Sequence, residues 1–137
     1  MIESHGYRII KNIPIADSMY KMSVIAPEIA QTAIPGQFVH IKVPDDQSMI
    51  LRRPISINSA DEKNGLIDLA YQIAGKGTKL FSSLKGGNEV NLLGPLGRGF
   101  DVTGAKLVAL IGGGCGIAPL RFVPKKWPHL KLHSFLG

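Results

Sequence analysis

The 137-residue chain has one cysteine, few acidic residues and no long hydrophobic run. The single Cys115 excludes an internal disulfide and any zinc or iron–sulfur site built from several thiolates. The longest apolar run, residues 107–120, is too short and too rich in glycine to span a bilayer. The first five residues resemble no signal peptide, so we expect a cytoplasmic protein with no membrane partner.

Acidic side chains number 10 against 16 basic ones, which gives a formal net charge of +6. Such an excess can indicate nucleic-acid binding when the basic residues form a patch. Here they are scattered singly, apart from Arg52-Arg53 and Lys125-Lys126. We therefore expect no nucleic-acid partner, and either an anionic small ligand or an acidic partner subunit accounts for the charge.

Glycine and proline are plentiful, with 16 and 9 residues, and they separate short apolar runs that alternate with polar residues. This pattern predicts strands. Thr78 is expected to cap one short helix that ends near Lys85, and residues 44–48 form a polar loop. We predict a mainly β fold, a six-stranded antiparallel barrel over residues 1–102. Its strands are residues 7–15, 19–27, 37–43, 53–59, 66–73 and 90–93.

The pattern changes in residues 103–137. The continuous apolar run 107–111 predicts a parallel strand buried on both faces. A glycine-rich turn and a helix start containing Pro119 follow it, and Pro124 is expected to break that helix. Residues 130–137 form the next strand. We interpret this segment as the first β-α-β portion of an incomplete, truncated α/β nucleotide-binding domain.

Three segments carry residues that can hold a phosphate. Arg53 can fork onto phosphate oxygens, with Ser56 three residues later. Gly77-Thr78 opens a helix whose free N–H groups bind anions. The third segment is the turn Gly112-Gly113-Gly114-Cys115-Gly116, in which Cys115 is expected to be a small packing residue. Each segment alone also fits a purely structural role: an edge strand with solvated side chains, an ordinary loop, or a turn that only allows close packing. Together they predict a flavin dinucleotide site followed by a second nucleotide site.

In this order, the motifs resemble the ferredoxin–NADP reductase superfamily, and within it the electron-transfer subunits of NAD-dependent, class 1B dihydroorotate dehydrogenases. The resemblance rests on five segments, residues 35–39, 52–57, 71–78, 93–100 and 112–120. It implies an FAD-binding barrel followed by an NAD-binding domain. It further implies electron flow from NADH through FAD and a [2Fe–2S] cluster to an FMN-containing catalytic subunit, in a heterotetramer that serves pyrimidine biosynthesis.

Carried onto this chain, the resemblance assigns cofactor-binding residues but neither a catalytic residue nor a metal ligand. Four residues would line the flavin and its phosphates: Arg53, Pro54, Ile55 and Ser56. Three would flank the adenosine and pyrophosphate region: Tyr71, Gln72 and Ile73. Two would hold the pyrophosphate: Gly77 and Thr78. Four would face the pyridine nucleotide: Gly112, Gly113, Gly114 and Gly116.

The chain departs from the family in three respects. Ile55 stands where many members stack an aromatic ring on the flavin, the four-cysteine [2Fe–2S] motif is absent, and the NAD-binding portion is incomplete. We therefore expect an FAD-binding electron-transfer component whose reduction by NADH is impaired. Two alternatives stay open: a non-catalytic remnant or partner-binding barrel, and a flavin reductase subunit of another ferredoxin- or sulfur-linked system.

Overall fold

The computed structural model describes residues 5–44 and 50–137, so most of the predicted polar loop lies outside the described residues. The elements in chain order are β1 (His5–Ala16), β2 (Met19–Ile25), α1 (Pro27–Thr32), β3 (Phe38–Ile41), β4 (Arg53–Asp61), β5 (Leu66–Gln72), α2 (Lys76–Ser83), β6 (Glu89–Leu96), β7 (Leu107–Gly112), a 3₁₀ helix (Gly114–Arg121), α3 (Phe122–Lys126) and β8 (Lys131–Leu136).

The first six strands close into a barrel in the order β1-β2-β5-β4-β3-β6, with every neighbouring pair antiparallel. This confirms the predicted six-stranded barrel. Alternation along each strand sends one set of side chains inward, as in β5, where Ile67, Leu69 and Tyr71 are all buried. Burying each such side chain contributes about 1.5–3 kcal/mol, so the closed core supplies most of the stability.

A second helix in the barrel, α1, was not predicted. Pro27 occupies its first turn, where the missing N–H needs no partner, and Glu28 lies near the positive end of the helix dipole. Ile29 and Ala30 are buried against the barrel. Six residues are too few to produce a helical repeat of apolar positions, so the sequence pattern did not reveal the helix.

Residues 107–136 contain a two-stranded parallel sheet in which β7 pairs with β8 in register from Leu107 to Gly112. The two strands are confirmed, but the prediction that the first is buried on both faces is wrong. Leu107 is 57% exposed and Ile111 is 77% exposed, and only Leu110 is buried. A strand in a parallel sheet is covered by neighbours on both faces, and a pair of strands provides few of them.

The connection between these strands also differs from the predicted crossover helix. It consists of a 3₁₀ helix containing Pro119, followed directly by the five-residue α3. Pro124 does not break the helix as expected, because it is the third residue of α3. At that position, an N–H has no acceptor inside the helix.

Among the residues that the structure describes, no helix has the length and apolar character needed to cross a membrane.

Candidate functional site

Arg53 lies against the first turn of α2. A Cβ on Gly77 would come within 3.2 Å of Arg53 Nε and 3.3 Å of Val43 Cγ2, so one of these side chains would have to shift. Glycine at this position therefore allows the arginine to approach the helix. Arg53 Nη1 donates to the carbonyl oxygen of Leu51 at 2.7 Å, which fixes the orientation of the guanidinium. The structure thus places Arg53 and Gly77, two of the predicted phosphate residues, side by side.

Thr78 is not the N-cap residue of α2, because the helix begins at Lys76 and Thr78 is its third residue, but its side chain takes part in the cap by bonding to the backbone of Gly75, the N-cap. Its hydroxyl also holds the preceding loop. Thr78 Oγ1 accepts from the N–H groups of Ala74 at 2.9 Å and Gly75 at 3.2 Å, and donates to the Gly75 carbonyl at 3.1 Å. A Cβ on Gly75 would meet only open space. These hydrogen bonds hold the loop in place, and the absence of a side chain at Gly75 leaves the helix backbone accessible to a ligand.

These features suit a phosphate. The first N–H groups of an α-helix have no acceptor within the helix, and the helix dipole favours an anion there. The adjacent guanidinium adds a charge-assisted donor with fork geometry. An arginine beside a glycine-containing helix start can therefore hold a pyrophosphate, and the residues present fit an anionic dinucleotide.

Asn12 in β1 holds the other end of α2, and the sequence analysis missed it. Its Nδ2 donates to the carbonyl oxygens of Phe81 at 2.7 Å and Leu84 at 2.9 Å, at the last turn of the helix. Its Oδ1 accepts from the hydroxyl of Tyr71 at 2.9 Å. One amide therefore ties the helix to two strands of the barrel. The residues are 59 to 72 positions apart, so no local pattern could have indicated the contact.

Tyr71 lies inside the barrel, with 2% of its surface exposed. Its ring stacks on Tyr20 at 5.9 Å and meets Phe81 of α2 edge-on at 6.1 Å. Burial raises the pKa of Tyr71 to about 12. The Tyr71 side chain thus supports α2 from inside the barrel, through its ring contact with Phe81. Gln72 is exposed and Ile73 half-buried, and the role of these three residues beside an adenosine stays a prediction.

The start of β4 presents two different faces. Ile55 is buried in the barrel core, whereas Pro54 is exposed and Ser56 half-buried on the opposite face. Ile55 therefore packs in the core, in the position where many members of the superfamily carry an aromatic ring. The face that carries Pro54 and Ser56 is the one open to a ligand.

Arg52 points elsewhere than its neighbour. Its Nη2 donates to Asn91 Oδ1 at 2.6 Å on β6, and its Nη1 lies 3.4 Å from the carbonyl oxygen of His40 on β3. The guanidinium therefore links β3 and β6. The two adjacent arginines have separate tasks, of which only that of Arg53 concerns the candidate phosphate site.

The glycine-rich turn begins at the end of β7. A Cβ on Gly112 would come within 2.7 Å of Leu120 Cδ1, so this glycine allows close packing of strand and helix. Gly114 has a φ of +55°, a left-handed conformation that favours glycine. A Cβ on Gly116 would meet open space, and Gly113 is also exposed. Cys115 is exposed, so the expectation of a packing residue is wrong. The glycines lie within one turn, and their role toward a pyridine nucleotide stays a prediction.

Comparisons with known proteins confirm the predicted resemblance. Residues 8–100 match the family described as oxidoreductase FAD-binding domain. An electron transfer subunit of dihydroorotate dehydrogenase B (NAD(+)) from Fusobacterium nucleatum is 41% identical over 120 residues, which cover 85% of this chain and 46% of that protein. The corresponding subunit from Enterococcus faecalis strain V583 is 39% identical over 134 residues, covering 94% of this chain and 51% of that protein. The chain thus spans about half the length of the curated relatives it matches.

Solved structures share the fold. An NADH-dependent reduced ferredoxin–NADP oxidoreductase aligns with a TM-score of 0.81 at 27% identity, covering 95% of this chain and 46% of that one. A ferredoxin–NADP⁺ reductase from Neisseria gonorrhoeae, solved with bound FAD and NADP, aligns with a TM-score of 0.77 at 18% identity, covering 99% of this chain and 58% of that one. The barrel therefore has the fold of the ferredoxin–NADP reductase superfamily. Because the family match covers residues 8–100, more than half of the sequence, the chain belongs to the oxidoreductase FAD-binding domain family.

Proposed function

We propose that this chain is the FAD-binding module of an electron-transfer flavoprotein of the dihydroorotate dehydrogenase system. The observation that carries the proposal is the position of Arg53 beside Gly77 at the start of α2, where a Cβ on the glycine would crowd the guanidinium. It places a fixed cation beside the N-terminus of a helix, in a barrel whose family is an FAD-binding domain. When bound, FAD supplies hydride and single-electron chemistry that no side chain offers.

Each part of FAD is assigned to the residues whose positions in the structure suit it. Arg53 and the first turn of α2, with Gly77 and Thr78, bind the pyrophosphate. Pro54, Ile55 and Ser56 line the flavin, with Ser56 as the hydrogen-bonding group on the open face of β4 and Ile55 supporting that strand from the core. Tyr71, Gln72 and Ile73 form the adenosine side, where Gln72 is the exposed member.

Residues 1–102 are proposed as the FAD-binding unit and residues 103–137 as the opening of an NAD-binding domain. Gly112, Gly113, Gly114 and Gly116 would then face the pyridine nucleotide. A two-stranded sheet offers a small surface for a dinucleotide, since such sites in α/β folds form at the edge of a larger sheet. We therefore expect NADH to reduce FAD poorly in this chain, whereas dithionite reduces it fully.

The proposed partner is an FMN-containing dihydroorotate dehydrogenase catalytic subunit, in a cytoplasmic heterotetramer that serves pyrimidine biosynthesis. The support is the 38–43% identity to electron transfer subunits of dihydroorotate dehydrogenase B over most of this chain. With Cys115 as its only cysteine, the chain cannot supply the four thiolates of a [2Fe–2S] relay.

The experiment that tests this function is reduction of the FAD-loaded chain under anaerobic conditions. Loss of the visible flavin bands is followed after NADH and, separately, after dithionite. The proposal predicts slow or absent bleaching by NADH and complete bleaching by dithionite. Fast bleaching by NADH would show that the nucleotide-binding portion is competent. Failure of dithionite to bleach any bound chromophore would contradict the flavoprotein assignment.

A second candidate function is a partner-binding barrel without a cofactor. The observation in its favour is the exposed apolar surface of the small sheet, where Ile111 is 77% exposed and Phe135 is 61% exposed. Exposed apolar patches often mark surfaces that another protein covers. A chain that takes up no FAD, yet elutes with a catalytic subunit in gel filtration, would favour this alternative.

A further inference from the structure

Asn58 connects the strand of the candidate flavin site to the segment that follows the glycine-rich turn. It lies on β4 two residues after Ser56, and 5% of its surface is exposed. Its Nδ2 donates to the carbonyl oxygen of Ala118 at 2.7 Å, in the middle of the 3₁₀ helix and 60 residues away in sequence. The pairing of β4 with β5 shifts register between Ile57 and Ser59, and the bond to Ala118 shows that the Asn58 side chain is directed toward the 3₁₀ helix.

The other half of the Asn58 amide has no partner. Asn58 Oδ1 is buried and accepts no hydrogen bond from the described residues. A buried acceptor without a donor lowers stability, and an apolar side chain of similar shape would avoid that cost. Stability alone therefore does not explain an asparagine at this position.

The segment that Asn58 holds is restrained by packing, since Ala118 is 8% exposed and Leu120 lies close to Gly112 of β7, but its own hydrogen bonding is weak. Pro119 lacks an N–H, 3₁₀ hydrogen bonds have poor geometry, and Gly113, Gly114 and Gly116 loosen the turn before it. At the end of the segment, Phe122 is 1% exposed and packs with the core of the barrel. Among the described residues, Asn58 is the one whose side chain donates a hydrogen bond to the 3₁₀ helix between Gly112 and Phe122.

We propose that Asn58 is a positioning residue that holds the glycine-rich turn against the flavin strand. Its amide sets where residues 112–116 stand relative to the open face of β4, and so how far that turn shields a flavin bound over Ser56. This inference rests on the proposed FAD-binding function only for the shielding. The positioning itself is a property of the chain alone.

The test compares Asn58→Leu with Ser59→Ala. Leucine removes both the donor and the buried acceptor without opening a cavity. Ser59 is the next residue of β4 and is equally buried, but its hydroxyl bonds to Asp68 at 3.0 Å within the barrel. Asn58→Ser provides a second variant, since its short hydroxyl cannot span the distance to Ala118.

Amide hydrogen exchange is followed by mass spectrometry in residues 114–121 and, as an internal reference, in β2. Losing one hydrogen bond predicts roughly fivefold faster exchange of residues 114–121 in both Asn58 variants. The exchange rate in β2 should stay unchanged. Ser59→Ala should leave the exchange rate of residues 114–121 equal to that of the wild type. Equal acceleration in both segments, or no change in either, would overturn the proposal.

A second measurement tests how accessible the bound flavin is to solvent. In FAD-loaded protein, Asn58→Leu should raise the quenching of bound flavin fluorescence by iodide, because the turn no longer shields the ring, and leave the Kd for FAD unchanged. Identical quenching in Asn58→Leu and the wild type would overturn the shielding. If the wild type binds no FAD, the proposed function fails, and the exchange experiment on the same chain still decides whether Asn58 positions the turn.

Discussion

The barrel and the small parallel sheet contain similar apolar residues but bury them to very different extents. In the barrel, Ile9, Val39, Ile57 and Leu92 are fully buried. In the sheet, the apolar residues of β7 and β8 are largely exposed: Leu107 57%, Ile111 77%, Phe135 61% and Leu136 56%. An apolar sequence therefore does not by itself produce a core.

Closure explains the difference. Each strand of the barrel has a neighbour on both sides, and the six inner faces enclose one another. Parallel sheets depend instead on further strands and on helices packed over both faces. Two strands joined by a 3₁₀ helix and a five-residue helix cannot supply that cover. We infer that the stability of the protein, and the candidate phosphate site, belong to the barrel.

The largest expected effect comes from two phenylalanines, one in each region. Phe81 of α2 is fully buried and Phe135 of β8 is 61% exposed. Phe81→Ala should lower the free energy of unfolding by about 3–5 kcal/mol, because it leaves a cavity beneath the helix. Phe135→Ala should change it by less than about 0.5 kcal/mol. Urea denaturation followed by circular dichroism measures both. Similar losses of unfolding free energy in the two variants would show that the small sheet contributes to stability as much as the barrel does.

The next effect concerns the two adjacent arginines. Arg53→Ala should weaken FAD binding by about 2 kcal/mol or more, roughly 30-fold in Kd, because it removes a charge-assisted contact to phosphate. Arg52→Ala removes the same charge but acts on the link to Asn91 in β6. It should reduce stability and leave the FAD affinity nearly unchanged. Titration of each variant with FAD provides the comparison, and equal affinities would remove Arg53 from the site.

Asn12 should have an intermediate effect that couples the barrel to the site. Asn12→Ala removes the donor to the last carbonyls of α2 and leaves the Tyr71 hydroxyl without its acceptor. We expect the free energy of unfolding to fall by about 1–2 kcal/mol, and the FAD affinity to fall with it as α2 loosens. Asn64→Ala is the matched control, since its side chain bonds to Asp61 in an exposed hairpin. A loss of stability with full FAD affinity would contradict the supporting role of Asn12.

The smallest effect is a pH dependence at Tyr71. Its pKa in the folded protein is raised to about 12, above the value of about 10 expected in the unfolded chain. The neutral hydroxyl is therefore favoured by folding. Its contribution is complete below about pH 10 and is lost as the pH rises toward 12. The stability difference between the wild type and Tyr71→Phe should shrink over that interval in denaturation curves. Parallel curves would show that the hydroxyl does not titrate in this way.

Much of this architecture could be predicted from local sequence patterns. Alternation in Ile67, Leu69 and Tyr71 predicted β5, and Asn64-Gly65 predicted the turn before it, where Gly65 has a φ of +65°. Arg53 and Gly77 were identified because an arginine and a glycine-containing helix start can each hold a phosphate, and because their order resembles that of the ferredoxin–NADP reductase superfamily. Such patterns are local, and the chemistry of each residue type is the same in any fold.

The rest depended on contacts that the sequence does not show. Asn12 reaches α2 across about 70 residues, and Asn58 reaches Ala118 across 60. Exposure of Ile111 depends on which elements surround β7, and not on the run of apolar residues itself. Arg52 and Arg53 look alike in sequence, and only the pairing of β3, β4 and β6 shows that they have different partners.

We propose that the barrel of this chain is a working FAD site. The most direct test is the visible absorption spectrum of the purified chain after incubation with FAD and gel filtration. We expect a flavin spectrum to elute with the wild-type protein and with Arg52→Ala, and to be lost in Arg53→Ala. A colourless protein after incubation with excess FAD would contradict the claim and leave the barrel as a fold without its cofactor.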